Sequence, residues 1–455
     1  MHNTPHRIPA RRAPYRPGFL SFIFTLALIH HVPGCAQSNP RSLIQRIVIA
    51  ETTDLPRTNW PILIPIALPP EITPQQAAAW RLEQITDASR LPVQFQVIDT
   101  PQAPLDASGP PPERQIEICF TVDLTPRQQL VFELHDTAKS DPTIPPTTKH
   151  SLKVSGKDFD LTINTGPITW TTHALSGQLL NYRAGQGADQ RLLRFNQGNT
   201  ELPIHWNPDV WAPPLSWGHT CDWDVTKPDL TPTLRTSRGP IVTRTLRRGE
   251  MPNSNHVDAA VCYTFIAGQP FVYESSFMRF TADTTVRAVR NNELVFGRGL
   301  HTHGAWPNAD GQIEQRQLYD TSDPKKFFHI IAPVPPDVPW IAMFHEDRRT
   351  GIAIVNLRAV HTPAPGADTT HDQDAKYYFY DYGDWGIEDR FEWNFTYMCR
   401  TIVTPDSLIK ADTTYAERCA FLVFELGDTD ADRFDQLTRW AQLLRNPPNV
   451  TVESP

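Results

Sequence analysis

Three polar clusters carry the side chains with which this chain could move protons or hold charge. The first is Arg298-Gly299-Leu300-His301-Thr302-His303-Gly304. Two imidazoles two positions apart share one face of an extended strand. They titrate near neutral pH and can act as general base and general acid. With a third ligand such as His345 or Asp381 they could instead hold a divalent metal, although no cofactor is required by the pattern. Arg298 can neutralise a carboxylate through paired hydrogen bonds. The second cluster, His345-Glu346-Asp347-Arg348, reads as a turn between strands. The third comprises Tyr380, Asp381, Tyr382, Asp384, Glu388 and Asp389. Residues distant in sequence converge at one end of a sheet, so these clusters could line one groove.

The third cluster lies in Tyr377–Tyr397, YYFYDYGDWGIEDRFEWNFTY, where 10 of 21 residues are aromatic in a chain that is 10% aromatic overall. Phe391, Trp393, Phe395 and Tyr397 alternate with polar residues, which predicts a strand with one aromatic face. Tyr377–Tyr382 predicts a second strand, joined to the first by an acidic turn around Gly383–Gly386. Rings beside carboxylates suit a sugar, with Asp381, Asp384, Trp385 and Glu388 as substrate contacts. Trp306 is a further candidate contact. In the proline-rich loop 200–232, Trp206, Trp211, Trp217 and Trp223 could form a stacking platform, or else the loop's own small core.

The elements that must position these residues are short strands. The chain has 44 prolines against 22 glycines, and proline interrupts helices and central strands. Strands are expected over Ile47–Ile49, 61–68, 91–97, 115–122 and 129–134, with one helix inserted over 74–88. The Pro/Ser/Thr-rich stretch 139–149 cannot bury a core and predicts a linker. Further strands follow over Ile241–Leu246, Ala259–Ile266, Phe271–Phe280, Val286–Leu294, Trp340–Phe344, Gly351–Leu357 and Cys419–Glu425. A closing amphipathic helix presents Phe434, Leu437, Trp440, Ala441 and Leu444 on one face. The expected fold is all-β: a small N-terminal β domain over 43–138, a linker, and an antiparallel β-sandwich over 150–455 with a short C-terminal helix.

A net charge of −8 without a Lys/Arg stripe excludes a nucleic-acid partner. Arg7, Arg11, Arg12 and Arg16 precede the apolar run Phe19–Ile29, the order of a secretory signal over residues 1–35. Val32-Pro33-Gly34-Cys35 resembles a lipoprotein cleavage box, making Cys35 a candidate lipid anchor and the only route to a membrane. The expected location is therefore periplasmic, outer-membrane-anchored or extracellular. The remaining cysteines lack CxxC spacing. Cys399 and Cys419 fall in neighbouring strands and are a candidate disulfide in an exported protein.

The stretches RTNWPILIPI, LPVQFQV and IEICFTVDL resemble the small N-terminal β domain of exo-acting rhamnogalacturonan lyases. FDLTINTGPITW through VCYTFIAGQPFVYESSFMRFTADTTVRAVRNNELVF is similar to galactose-mutarotase-like β-supersandwich domains of carbohydrate enzymes. The helical toroid domain of those lyases has no counterpart in this chain. The resemblance implies a carbohydrate-active enzyme working on an acidic polysaccharide, with lyase chemistry as the leading expectation. His301 or His303 would be the base, Tyr380 or Tyr382 the acid, and Arg298 the neutraliser of a uronate. A hydrolase would use facing carboxylates, with Asp384 and Glu388 or Glu392 as candidates. A non-catalytic glycan binder would need only the tryptophans.

Overall fold

Alternation is the local cause of most of this architecture. In the strand Arg57–Ala67, Trp60, Ile62, Ile64 and Ile66 are buried while Pro65 and Ala67 are exposed. This strand is an edge, paired only with Gln115–Leu124, so its two prolines cost no ladder hydrogen bond on the open side. The computed structural model describes residues 42–104, 115–136, 151–184, 195–197, 200–215, 217–254, 256–318, 328–367, 376–382, 395–403 and 406–453, with backbone only at 195–197, 200–202, 328–332, 382 and 403. The candidate signal and Cys35 lie outside these residues. So do Asp384, Trp385, Glu388, Glu392, the linker 139–149 and the side chain of Tyr382.

A nine-stranded antiparallel sheet is the spine. Its order is Thr233–Arg238, Val242–Glu250, Val257–Ile266, Phe271–Phe280, Thr414–Glu425, Thr350–Thr362, Trp340–His345, His303–Pro307 and Ile313–Gln317. Both of its faces are covered, which is why Val257–Ile266 is buried almost throughout instead of alternating. One face shares a core with a six-stranded sheet. The order there is Trp217–His219, Asp209–Trp211, Ala288–Gly297, Phe395–Val403, Lys376–Tyr382 and Phe328–Val334. Tyr263, Phe265, Phe296, Phe379 and Phe421 belong to this core.

The other face packs on the N-terminal sheets and the closing helix through Trp60, Phe120, Phe271, Trp340, Phe424 and Phe434. That helix, Asp435–Arg445, buries Leu437, Ala441 and Leu444, and its Trp440 stacks on Trp60 at 6.3 Å. Beyond it, Asn449–Glu453 pairs with Leu43–Ala50 and completes the five-stranded N-terminal sheet. Residues Arg41–Pro455 accordingly form one unit by their contacts. The all-β sandwich expected from the alternation is present. No helix among the described residues is long and apolar enough to cross a membrane.

Two local expectations are corrected. The helix over 74–88 is a single turn, Pro74–Ala77, started by a reciprocal Thr73–Gln76 capping box. Arg81–Ile85 is instead a strand between Gln129–His135 and Arg90–Val93. The candidate Cys399–Cys419 disulfide does not form. Cys419 faces the core between the large sheets, whereas Cys399 belongs to a cluster on the far side of the six-stranded sheet.

Candidate functional site

The outer face of the six-stranded sheet, turned away from the nine-stranded sheet, collects a polar and aromatic group. A bulge in Ala288–Gly297 makes it possible. Asn291 is opposite Arg400 and Leu294 opposite Met398, so three steps on one strand match two on the other. Asn292 takes the extra position with φ at 53°, a conformation asparagine tolerates better than most residues. Asn291 bonds Ser276 Oγ and Asn292 bonds Glu417, both on the nine-stranded sheet. With both asparagines turned inward, Arg290 and Glu293 project outward together.

The neighbouring hairpin supplies the rest. Asp209 is paired in register with His219 on one side and Arg290 on the other. His219 Nδ1 lies 3.4 Å from Asp209 Oδ2, and Arg290 lies 3.8 Å from Glu293 Oε1. The Arg290 guanidinium sits 4.1 Å from the ring centroid of Trp217, 5.5 Å from that of Tyr380 and 5.9 Å from that of Tyr397. Trp217 stacks on His219 at 5.9 Å, and Trp206 meets His219 edge-on at 5.6 Å. Tyr380 and Tyr397 stack at 4.5 Å.

Electrostatics assign protons within this group. Burial, and after it the charge of Glu293, holds the Asp209 carboxyl well above the ordinary range. Burial raises Glu293 as well, against the pull of Arg290. Two close carboxyls in a dry setting do not both ionise readily. Arg290 pulls both carboxyls down against burial, and Asp209 is the one raised further, so the pair holds a proton on the Asp209 side. His219 is pushed down to about 3 by burial and by the Arg290 charge, so its imidazole is neutral at neutral pH. The site therefore brings together a buried carboxyl pair that holds a proton, a guanidinium beside it, and aromatic rings around them. This is the equipment for general acid–base chemistry.

The residues singled out from sequence are distributed differently. Trp206, Trp217 and Tyr380 are in this group. Burial, then the Cys399 charge, raises the Tyr380 hydroxyl far above the ordinary tyrosine value, so it is a proton donor and not a base. Asp381 faces inward, where its carboxylate takes a 2.9 Å hydrogen bond from Arg298, so that guanidinium already has a carboxylate. His301 and His303 do not share a strand face. His301 is buried against Phe296 at 4.5 Å and pushed down to about 3 by burial, then by His345 and Arg348. His303 stacks on Phe344 at 5.4 Å and comes within 4.0 Å of Glu346. His345 Nδ1 accepts from the Arg348 amide at 3.3 Å. Among the described residues no three His, Cys, Asp or Glu side chains gather as a metal-binding group. Trp306 is buried in the core against Phe379 at 5.6 Å, and Trp223 is buried there too.

Sequence reading missed Asp209, His219, Arg290 and Glu293. Strict alternation places residues 290 and 293 on opposite faces. The adjacent Asn291-Asn292 pair is the one local hint that the alternation breaks.

No protein-family model and no curated protein matches the chain. Among solved structures, an α-mannosidase from Enterococcus faecalis V583 aligns over 90% of this chain and 46% of its own, at 10% identity and a TM-score of 0.48. A glycosyl hydrolase family 38 protein from Enterococcus faecalis aligns over 90% of this chain and 47% of its own, at 9% identity and a TM-score of 0.48. The chain thus spans less than half the length of either. A galactose mutarotase-like protein from Lactobacillus casei ATCC 334 aligns over 58% of this chain and 99% of its own, at 9% identity and a TM-score of 0.35. Likeness at this level assigns no role to any residue.

Proposed function

We propose that this is an exported carbohydrate-active enzyme whose site is the outer face of the six-stranded sheet. The observation that carries the reading is the coupled Asp209–Glu293 pair beside Arg290 and Trp217. Asp209, kept protonated, donates to a departing sugar oxygen. Glu293, hydrogen-bonded to Asp209, returns a proton to it between turnovers, and the partly exposed indoles of Trp206 and Trp217 offer stacking faces for the sugar. The charges nearly cancel, because Arg290 answers Glu293 while Asp209 and His219 are neutral. Such a site suits an uncharged sugar ring better than a uronate, and favours hydrolase-type chemistry.

β-Elimination on an acidic polysaccharide is the second reading. It is supported by Tyr380, whose ring lies 5.5 Å from the Arg290 guanidinium on this same face. Arg290 and Tyr380 would then take the neutralising and proton-donating roles that the sequence offered to Arg298 and Tyr380. Screening the protein and its Asp209→Asn and Glu293→Gln variants against a polysaccharide panel tests the site. Turnover that vanishes in both variants while the sugar still binds supports the assignment. Unchanged turnover in both removes it, and binding without turnover in the parent protein supports a glycan-binding role.

A further inference from the structure

We propose a second ligand site in this protein, for a sugar-sized phosphate or sulfate ester, in the cavity between the nine-stranded sheet and the N-terminal strand Arg57–Ala67. The cavity measures about 360 Å³ and is lined by four guanidiniums, those of Arg244, Arg358, Arg418 and Arg445. Its volume is that of an ordinary small-molecule pocket.

The nine-stranded sheet presents apolar residues on this face at both ends of the cavity. Val242, Ile266, Phe271, Ala420 and Leu422 lie on one side, and Leu246, Cys262, Phe277 and Ala416 on the other. Between them runs a polar belt. Arg244 is opposite Thr264, and Arg418 is opposite Ser275 on one side and Arg358 on the other. Like charges directly across a ladder are unfavourable, so the Arg418–Arg358 pair needs compensation.

Arg244 has its compensation. It bonds Glu117 at 2.6 Å, Thr264 Oγ1 at 3.0 Å and the Thr100 carbonyl at 3.0 Å. None of the other three forms an ion pair with a carboxylate among the described residues, and the charge of Glu117 that Arg418 feels is already held by Arg244. Among the described residues Arg445 donates only to the Asn356 carbonyl, at 3.2 Å, and the buried Nε of Arg418 has no hydrogen-bond partner. Glu274 adjoins the cavity but does not neutralise it. Its carboxyl turns to the opposite face of the sheet and accepts from Cys419 Sγ at 3.3 Å. Guanidiniums stay charged at any ordinary pH, so the partly buried Arg418 and the exposed Arg358 and Arg445 at the cavity's rim leave it strongly positive. A phosphate or sulfate group supplies that charge with the oxygen geometry that guanidinium forks bind in pairs. Leu63, Leu357, Leu444 and Tyr273 give a sugar ring apolar walls.

The test is calorimetric titration of the full chain with glucose 6-phosphate, glucose 6-sulfate, inorganic phosphate and glucose. One ester is expected to bind with unit stoichiometry, more tightly than inorganic phosphate, while glucose gives no heat at this site. Which ester wins identifies the oxyanion. Arg418→Gln is expected to weaken that binding by about tenfold or more. Arg358 is exposed, so Arg358→Gln provides the same readout in a protein whose fold is not at stake. The Asp209→Asn variant should bind the ester unchanged, which separates this cavity from the proposed catalytic face. Ester affinity unaltered in both arginine variants, or matched by glucose, overturns the proposal.

Discussion

Arg290 and Glu293 are three residues apart in one strand, yet lie 3.8 Å apart on one face of the sheet. Alternation alone forbids this, since an odd separation places two residues on opposite faces. The intervening bulge removes the conflict, and the hydrogen bonds of Asn291 and Asn292 to the neighbouring sheet hold it.

Asn292 should therefore matter more than its distance from any substrate implies. A valine at φ near 53° is strained, at a cost of about 1–3 kcal/mol. Asn292→Val is expected to lower the urea midpoint and weaken activity, while Asn292→Gly, which accepts that backbone, keeps more of both. Equal stability of the two variants would show that the bulge is held by something other than this residue's conformation.

The strand layout was legible because apolar alternation and buried runs depend on local composition. The closing helix was legible for the same reason, its apolar residues recurring at helical spacing. The site was only partly legible. Tyr380 stood out beside carboxylates, and Trp206 and Trp217 as candidate stacking residues of the proline-rich loop, and the structure brings the three together. His301 and His303 stood out by spacing, but the backbone is not a strand at residue 301, so His301 is buried against Phe296 while His303 lies partly exposed against Phe344. Arg290 and Glu293 were hidden by the bulge, and Asp209 by a short hairpin inside what reads as a loop.

The buried Arg57–Glu51 ion pair ties the N-terminal sheet to the end of the closing helix. Both side chains are fully buried, and Arg57 also donates to the Leu443 carbonyl at 2.9 Å. Removing one partner strands the other charge, so Arg57→Met is expected to cost about 3–5 kcal/mol in chemical denaturation. Burial opposes ionisation of Glu51, but hydrogen bonds from Arg57 and Thr53 prevail and leave its carboxyl below the ordinary value of 4.5. A depressed carboxyl stabilises above its unfolded value and loses that contribution as pH falls through its folded value. The stability gap between parent and Arg57→Met should therefore narrow below about pH 4. A gap that is constant with pH would exclude the ion pair as its source.

Glu274 predicts the opposite pH dependence. Burial pushes its carboxyl up to about 8 from 4.5, despite hydrogen bonds from Cys419 and Ser276. Between those values the unfolded chain has released this proton and the folded chain has kept it. Stability then falls with rising pH, by up to about 1.4 kcal/mol per pH unit from this group. Glu274→Gln mimics the protonated form and should flatten the fall of the urea midpoint between pH 5 and pH 8. Parallel curves for parent and variant would mean that Glu274 ionises normally in the folded protein.

The bond cleaved separates the two catalytic readings of the outer face. Hydrolysis creates a new reducing end and no new chromophore, whereas elimination leaves a double bond conjugated to the uronate carboxyl, which absorbs in the ultraviolet. The near-neutral charge of the Asp209, Glu293, His219 and Arg290 group leads us to expect reducing ends without ultraviolet absorbance. Activity should fall as pH rises through the elevated Asp209 value, because the acid is then spent. Arg290→Met should lower activity by removing the charge that keeps Glu293 ionised. An ultraviolet-absorbing product from an acidic polysaccharide, lost in Arg290→Met and in Tyr380→Phe but kept in Asp209→Asn, would instead establish elimination. It would make Arg290 the group that neutralises the uronate.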